Sequence, residues 1–218
     1  MKLDELLKKH LQEMPNLDKQ EINDYMHSKH GEDYSFTSFF ITDGNLKKRS
    51  FRQIAEHDGI VVLLREGDIA YIGTKEVRRD GKSGIKIFGF LEFKSKLNLG
   101  YIPHVNSNKL VQVNLVEVDK TIKLSGLGSF LYSSMVQAGY SVVSDNLQFL
   151  GGQAVWKKIA RDHLPNEAVY VIDHGNLMTD DSGKPIEYDG SNIPDNVIWD
   201  IDEEGTKEFV LLVYTQKV

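Results

Sequence analysis

The spacing of hydrophobic residues over 110–164 predicts a strand, a helix, a second strand and a second helix in succession. Residues 110–118 are rich in Val and Leu and contain neither Gly nor Pro, which favours a strand. In residues 127–138, apolar and small side chains recur at helical spacing, and Gly139 stands where a helix commonly ends. A glycine-containing turn at 123–128 connects this first strand to its helix.

The same alternation continues beyond the first helix. Residues 140–144 predict a short strand, and apolar residues then mark one face of a helix over 156–163, which ends before Pro165. Strands are also predicted on both sides of this unit, at 60–65, 69–73 with a continuation to 77, 85–93, 168–173 and 209–214. Glycine-containing loops between the first three of these favour antiparallel hairpins.

The N-terminal region has a different pattern. Hydrophobic residues at helical spacing predict an amphipathic helix over 2–14, which ends at a proline, and a second helix over 19–29. The segment 32–58 contains an aromatic cluster that favours a strand, a turn signal at 43–45 and a short helix over 51–57.

A long polar segment, 174–208, lies between the last two predicted strands. A connection of this length favours a lid, a hairpin excursion or a functional surface. Its spaced acidic residues do not have the spacing of a calcium loop, so we predict no metal site. The chain therefore divides into a helical and aromatic N-terminal region, 1–58, packed on a core domain, 59–218, that carries the polar insertion.

Composition limits the classes of protein to which the chain can belong. Its 218 residues are 40% hydrophobic and 27% charged, as in an ordinary globular protein long enough to bury a core. The absence of cysteine excludes disulfides, thiolate metal sites and a cysteine nucleophile. No apolar run reaches membrane-spanning length and no signal-peptide core follows the N-terminus, so we expect a cytoplasmic protein, of its own cell or of an infected host.

The formal net charge of −6 argues against binding of a nucleic-acid phosphate backbone over a large part of the protein surface. Basic residues nevertheless form three local groups: Lys47, Lys48 and Arg49 with Arg52; Arg78 and Arg79 with Lys82; and Lys94 with Lys96. Solvated loops and strand ends account for such groups in most proteins. Convergence of the groups around a cleft would instead indicate a nucleic-acid or nucleotide substrate.

The turn at 123–128 has a pattern that suits an anion. A helix begins immediately after it, and the first amides of a helix lack intrahelical acceptors and lie at the positive end of the dipole. Gly126 and Gly128 allow a ligand to approach the backbone. The turn does not have the spacing of a Walker A loop, and a Rossmann fingerprint would need a third glycine where Leu131 stands.

The motif Lys123-Leu124-Ser125-Gly126-Leu127-Gly128 resembles the pyrophosphate loop of the GNAT acyltransferase superfamily, Arg/Gln-x-x-Gly-x-Gly/Ala, with Lys in the first position. The residues that follow it, through Trp156-Lys157-Lys158, are similar to those of the divergent acetyltransferase-like proteins common in phage genomes. The resemblance follows the order of elements over about 59–173 and is specific over 110–164. It implies an α+β (α/β-like) fold with a GNAT-like mixed, mostly antiparallel sheet flanked by helices and an N-terminal helical appendage.

The resemblance implies acetyl-CoA or another acyl-CoA as the cosubstrate. Its pyrophosphate is expected on the backbone amides of the motif, and its pantetheine arm on backbone exposed where the strand of Val116 and Val118 parts from the strand at 140–144. The expected coenzyme-binding residues are Val116, Val118, Lys123, Leu124, Ser125, Gly126, Leu127, Gly128 and Ser129.

The implied reaction is direct attack of an amine on the thioester, which requires a base but no enzyme nucleophile. Glu117 stands where some members of the superfamily place that base, and Ser144 with Asp145 follows the neighbouring strand. His104, in the loop before the first strand of the unit, is a further candidate base, because an imidazole titrates near neutral pH. A histidine in a flexible connection is the alternative reading of this residue.

Three functions therefore stand open, the third being a nucleotide-dependent transferase that uses the same backbone amides. The first is an acyl-CoA-dependent N-acyltransferase of unknown acceptor, with a host protein or nucleic acid among the possible acceptors. The second is a GNAT-like protein without catalysis that acts by binding or inhibition. Two features favour it: Lys123 in the first motif position and the absence of an evident base.

Overall fold

The structure is a computed structural model that describes residues 38–65, 67–95, 102–105, 109–119, 121–122, 126–145, 150–199 and 210–217. Within these ranges the chain has an α+β fold, with ten strands in one open, mostly antiparallel sheet and four helices. The helices predicted over 2–14 and 19–29 lie outside the described residues. No helix in the described part is long and apolar enough to cross a membrane.

The elements follow the order expected from the hydrophobic pattern through most of the chain. They are β1 (Phe39–Thr42), α1 (Asp43–Lys48), β2 (Arg52–His57), β3 (Ile60–Arg65), β4 (Ile69–Val77), β5 (Ser83–Ser95), β6 (Leu110–Val118), α2 (Leu127–Gln137), β7 (Ser141–Val143), α3 (Leu150–Asp162), β8 (Glu167–Asp173), β9 (Asn176–Leu177), α4 (Asp195–Ile198) and β10 (Val210–Gln216). The predicted meander of three strands and the unit β6–α2–β7–α3 are thus confirmed.

Strand order in the sheet is β2-β3-β4-β5-β6-β7-β10-β8-β9. Every neighbouring pair is antiparallel except β6 and β7, which are parallel. Parallel strands need a long crossover, and here α2 supplies it. The last strand, β10, enters between β7 and β8 rather than at an edge, so chain order and spatial order differ in this half of the sheet.

One short strand lies off this path. β1 pairs with β5 from Phe39 opposite Ile87 to Thr42 opposite Gly84. On its other edge, this part of β5 pairs with β4, so β1 occupies the edge that β6 occupies further along, where Val118 is opposite Gly89. β1 therefore continues the position of β6 in the sheet. A strand in the aromatic cluster was expected, and the structure confirms it over 39–42.

The helix predicted over 51–57 is wrong, because the chain forms strand β2 there. A bulge between Gln53 and Ala55 explains the misleading pattern. The extra residue breaks the two-residue alternation, so Ile54 and Ala55 both pack against the same core cluster. The turn signal at 43–45 is instead the beginning of α1, whose N-cap Thr42 accepts a hydrogen bond from the Asn45 amide at 3.4 Å.

The main core lies between the sheet and helices α2 and α3, on what we call the helix face. Its fully buried members include Leu131 and Met135 of α2 and Trp156 of α3, which meet Ile72 of β4 and Val142 of β7. The long runs of buried residues in β3 and β8 arise because the other face of the sheet is also covered.

On the opposite face, two separate clusters cover the two halves of the sheet. Ile41, Ile85 and Ile87 form one with Leu46 of α1 packed against it. Ile102 and Val105, from the connection between β5 and β6, form the other with residues of β7, β8 and β10. Leu115 of β6, between the two halves, is 43% exposed. Among the described residues, the opposite face is thus covered by these clusters at both sides, with the exposed Leu115 between them.

The described part of the polar insertion, 174–199, is packed on the domain rather than extended from it. The Tyr188 amide donates to Val169 O of β8 at 2.8 Å. Further along, Trp199 is buried and lies beside α3, where Lys157 Nζ is 5.2 Å from the centre of its ring and 2.5 Å from Asp195 Oδ2. The acidic residues of its turns are held by local hydrogen bonds, as when Asp180 Oδ1 accepts from the Ser182 amide at 2.9 Å.

Candidate functional site

β6 and β7 pair over three positions only and then part. Leu110, Val111 and Gln112 are opposite Ser141, Val142 and Val143, and β6 runs six residues beyond this pairing. The chain after β7 bonds to β10 instead, as the Ser144 amide donates to Leu212 O at 2.8 Å. Among the described residues, no strand pairs with that side of β6 beyond Gln112. The carboxyl-terminal half of β6 therefore borders an opening in the sheet.

A bulge in β6 accounts for the parting. Glu92 is opposite Leu115 and Phe93 is opposite Val113, so Asn114 is an extra residue in β6. A bulge bends its strand and increases the local twist. The bulge lies two residues after the last position that pairs with β7, so we infer that it turns the rest of β6 away from β7 while the pairing with β5 continues.

Helix α2 begins at the same end of the sheet, since it follows β6 and leads into the parallel strand β7. Its N-cap, Gly126, has φ 82° and ψ 4°, and no side chain caps the helix. The first intrahelical bond runs from the Phe130 amide to Gly126 O at 2.9 Å. The amides of Leu127, Gly128 and Ser129 consequently have no intrahelical acceptor, and none of the described residues supplies one.

Gly128, in the first turn of α2, has space beside its backbone for an added carbon atom. A Cβ placed on Gly128 would meet only Val155 Cγ2, at an ordinary 3.9 Å. Gly126 is in the left-handed region that other residues adopt only at a cost, so this position requires glycine for its backbone. The other three predicted coenzyme-binding residues of the motif, Lys123, Leu124 and Ser125, lie outside the described residues.

Glu117 lies on the far half of β6, at the opening. Val116 and Val118 on either side of it pack against the core of the helix face, so the side chain of Glu117 points to the opposite face. β5 and β6 approach closely here: a Cβ on Gly89 of β5 would come within 2.9 Å of Glu117 O and 3.0 Å of Val118 Cγ2. Glu117 is partly buried.

Ser144 and Asp145 follow β7, but they lie in different surroundings. Ser144 is 1% exposed, its Oγ accepts from the Leu212 amide at 3.0 Å, and its carbonyl oxygen accepts from Gln112 Nε2 at 3.1 Å. Ser144 thus ties β7 to both neighbouring strands. Asp145 is near Tyr132 of α2: burial raises the pKa of Tyr132 above its ordinary value, and the charge of Asp145 raises it further.

His104 belongs to a different part of the surface. It is exposed and has φ 65°, in a turn that the Val105 amide closes by donating to Ile102 O at 3.2 Å. Ile102 and Val105 anchor this turn in the opposite-face cluster of β7, β8 and β10. The structure therefore places Glu117 and Asp145 at the carboxyl ends of β6 and β7, and His104 in an exposed turn whose neighbours Ile102 and Val105 pack in the opposite-face cluster.

Sequence reasoning missed Asp119, which directly follows β6. Its Oδ2 accepts from the Ser38 amide at 3.1 Å and also from the Ser38 hydroxyl, and its Oδ1 accepts from the Thr121 amide at 2.9 Å and the Thr121 hydroxyl at 2.6 Å. These hydrogen bonds, first those from Ser38, hold the pKa of the Asp119 carboxyl well below its usual range. An Asp two residues before Thr, directly after a strand, was the available signal.

The arrangement combines an open strand edge with unbonded helix amides. Extended ligands can pair with the backbone of β6, and an anion can accept from the first amides of α2. Within the described ranges, no three His, Asp or Glu side chains are grouped as a metal site would require.

No protein-family model, no curated protein and no solved structure matches this chain.

Proposed function

We propose that the protein is an acyl-CoA-dependent N-acyltransferase of the GNAT type, acting on an amine acceptor. The observation that carries this proposal is the parting of β6 and β7 at the end of the sheet where α2 begins with unbonded amides. The resemblance of residues 123–128 to the GNAT pyrophosphate loop predicts both features at these places. The order of a strand meander followed by strand, helix, strand and helix further supports it.

The coenzyme would lie along the opening. Its pyrophosphate would accept from amides at 125–129, where the helix dipole is positive and Gly128 leaves space. Its pantetheine amides would pair with the backbone of β6 near Val116 and Val118, on the edge that β7 leaves unpaired. The coenzyme supplies an activated acyl group as a thioester.

Glu117 is the residue that we propose as the base. In the transfer, the amine nitrogen bonds to the thioester carbon, the carbon–sulfur bond breaks, and the thiolate leaves with the electron pair. Before attack, the ammonium must lose a proton, which Glu117 would take directly or through a water molecule. The second proton of the attacking nitrogen would pass to the departing thiolate, so that the products are a neutral amide and the CoA thiol. Glu117 points to the opposite face, away from α2, so an acceptor would approach from that face while the coenzyme binds beside the helix.

Asp145 and Ser144 have more limited roles in this proposal. Asp145 lies beside Tyr132 of α2, where it would orient the acceptor or relay a proton. The buried Ser144 hydroxyl, already an acceptor for the Leu212 amide, holds the end of β7 in position. His104 would contribute only through an acceptor large enough to reach its turn.

A GNAT-like binding protein without catalysis is the second candidate. The observation that favours it is the use of Ser144 in the sheet, which removes one of the predicted catalytic side chains from the opening. Both candidates predict coenzyme binding, and they differ in turnover.

Isothermal titration with acetyl-CoA tests the proposal. We expect saturable binding that Gly126→Glu weakens by at least ~10-fold, because a carboxylate at the helix N-terminus would occupy the anion position and repel it. Gly139→Glu is the matched control: Gly139 has a similar φ, 88°, at the other end of α2. No detectable heat with millimolar acetyl-CoA, or equal losses in both variants, would contradict the proposal. Binding without release of CoA in the presence of amines would favour the second candidate.

A further inference from the structure

A strongly basic surface lies at the same end of the sheet as the opening. We define the basic rim as residues 43–49 and 75–86, which contain eight basic and three acidic side chains, a net charge of +5. The whole chain has a net charge of −6, so the remaining residues carry −11. The basic members are Lys47, Lys48, Arg49, Lys75, Arg78, Arg79, Lys82 and Lys86.

The two parts of the basic rim meet in space. Ser83 Oγ donates to Asp43 Oδ2 at 2.5 Å, which joins the beginning of α1 to the beginning of β5. Lys47 lies four residues after Asp43 in α1, a rise of about 6 Å along the helix axis at ~1.5 Å per residue. Arg78, Arg79 and Lys82 belong to the turn that leads directly into Ser83. Two of the basic groups recognised in the sequence therefore converge.

Most of this charge is not neutralised within the described residues. Lys75 pairs with Glu56 at 2.5 Å, and a single carboxylate, Asp80, serves both Arg78 and Lys82 at 4.0 and 3.6 Å. For five other basic side chains, no described acidic group lies within ion-pair distance: Lys47, Lys48, Arg49, Arg79 and Lys86. The rim thus presents a concentrated positive potential.

Two aromatic rings of β1 lie beside this part of the chain, on opposite faces of the sheet because they are neighbours in a strand. Phe39 of β1 is 39% exposed, and its ring meets Tyr71 edge to face at 5.6 Å between centres. Phe40 packs over Gly84, where an added Cβ would be 2.7 Å from its ring, and the Arg78 guanidinium lies 5.5 Å from the centre of that ring. Rings and guanidinium groups together form the surface on which unpaired bases stack.

The position of the rim follows from strand register. Val118 at the carboxyl end of β6 is opposite Gly89, so the beginning of β5, from Ser83, extends beyond the end of β6. α2 also starts beyond that end of β6. The rim consequently projects at the end of the sheet where β6 and β7 part.

We propose that the basic rim binds single-stranded nucleic acid. Arginine and lysine side chains contact phosphates, and the exposed ring of Phe39 offers a platform for a base. A duplex would keep its bases stacked and could use only the charges, and an anionic membrane would need no aromatic ring. The proposal concerns binding alone; only the step of making this nucleic acid the acceptor rests on the proposed acyltransferase function.

Fluorescence anisotropy with a labelled single-stranded oligonucleotide of mixed sequence, without acyl-CoA, tests the proposal. Five phosphate contacts predict a slope of about −3.5 in log K against log salt, or a loss of roughly a hundredfold between 50 and 200 mM. Lys48→Gln with Arg79→Gln should reduce the magnitude of that slope by about 1.4. Phe39→Leu keeps an apolar side chain on Tyr71 and should lower affinity by about tenfold for the single strand only.

Lys184→Gln is the matched control, since Lys184 is an exposed lysine in the insertion, away from the rim. We expect it to leave the affinity within about twofold, and thermal unfolding should show all variants folded. No binding at 50 mM salt would overturn the proposal, as would an equal loss in the Lys184 variant. Equal affinity for a duplex with no effect of Phe39→Leu, or binding to anionic vesicles but not to the oligonucleotide, would also overturn it. None of these results depends on coenzyme binding, so the two proposals fail separately.

Discussion

The carboxylate of Asp119 accepts two hydrogen bonds from Ser38, so the residue that follows β6 is fixed to the residue that precedes β1. Asp119 also donates its amide to Phe88 O of β5 at 2.7 Å. The chain therefore leaves the sheet at a defined point, between two strands and a turn. That point sets the end of the strand that borders the opening, so we expect the binding site to depend on a residue outside it.

Asp119→Asn should destabilise the protein near neutral pH, because an amide binds the two hydroxyls and two amides less strongly than a carboxylate. The folded pKa of Asp119 is lowered, so its contribution is full above the unfolded pKa of about 4 and is lost as pH falls further. Urea unfolding at pH 7 and pH 3 measures this. A difference between wild type and variant that stays equal at both pH values would contradict the expectation.

Glu117→Gln should lower the rate of acyl transfer by about 10²–10⁴-fold while acetyl-CoA affinity changes by less than about twofold, because a base acts in the chemical step only. The matched control is Glu92→Gln, an exposed glutamate on the neighbouring strand opposite Leu115. Steady-state release of CoA measures the rate. An unchanged rate in the Glu117 variant would remove this residue from the proposed mechanism.

Removal of the hydroxyl from two buried tyrosines should change the free energy of unfolding by different amounts. Tyr214 OH donates to Glu167 in the core, whereas Tyr188 OH is buried and has no hydrogen-bond partner among the described residues. Tyr214→Phe leaves a buried carboxylate oxygen short of a donor and should cost about 1–3 kcal/mol. Tyr188→Phe removes an unsatisfied group and should change the free energy of unfolding by less than ~0.5 kcal/mol or raise it. Denaturant unfolding compares the two, and equal losses would contradict this assignment.

Gly190→Ala should loosen the insertion from α3. A Cβ there would lie 2.7 Å from Lys157 O, in addition to the strain of φ 91°. We expect a cost of about 2–4 kcal/mol, of which backbone strain is ~1–2. Gly183→Ala separates the two causes, because Gly183 has φ 82° and nothing within 4 Å, so it should show strain alone. Equal losses of stability in the two variants would show that the contact with α3 does not matter.

The sequence was sufficient to predict an element where the hydrophobic residues keep one spacing throughout it. Residues 110–118 were predictable because they are rich in Val and Leu and contain no Gly or Pro, and residues 127–137 because their helical repeat ends just before Gly139. The entry of β10 between β7 and β8 was not evident, because it pairs residues such as Val213 and Val143 that lie far apart in the chain. The bulge at Asn114 was equally hidden, because an extra residue in a strand has no fixed composition.

The candidate site was predictable only in part. The glycines of the motif and the position of Glu117 follow from sequence, because a strand and the turn after it place them. The burial of Ser144 between β7 and β10 could not be foreseen, because its partner Leu212 is 68 residues away in the chain. The remote pairing of Ser38 with Asp119, over 81 residues, was hidden for the same reason.

β1 protects part of β5 from pairing with other molecules. The backbone of Gly84 to Ile87 is covered on one side by four residues that come from far earlier in the chain. A protein shortened to start after Thr42 would expose those backbone donors and acceptors to strands of other molecules. The neighbouring turn at 78–82 is basic, and its like charges repel a second copy of the chain at low salt. We expect such a protein to stay dispersed in dilute buffer and to aggregate when salt screens that repulsion.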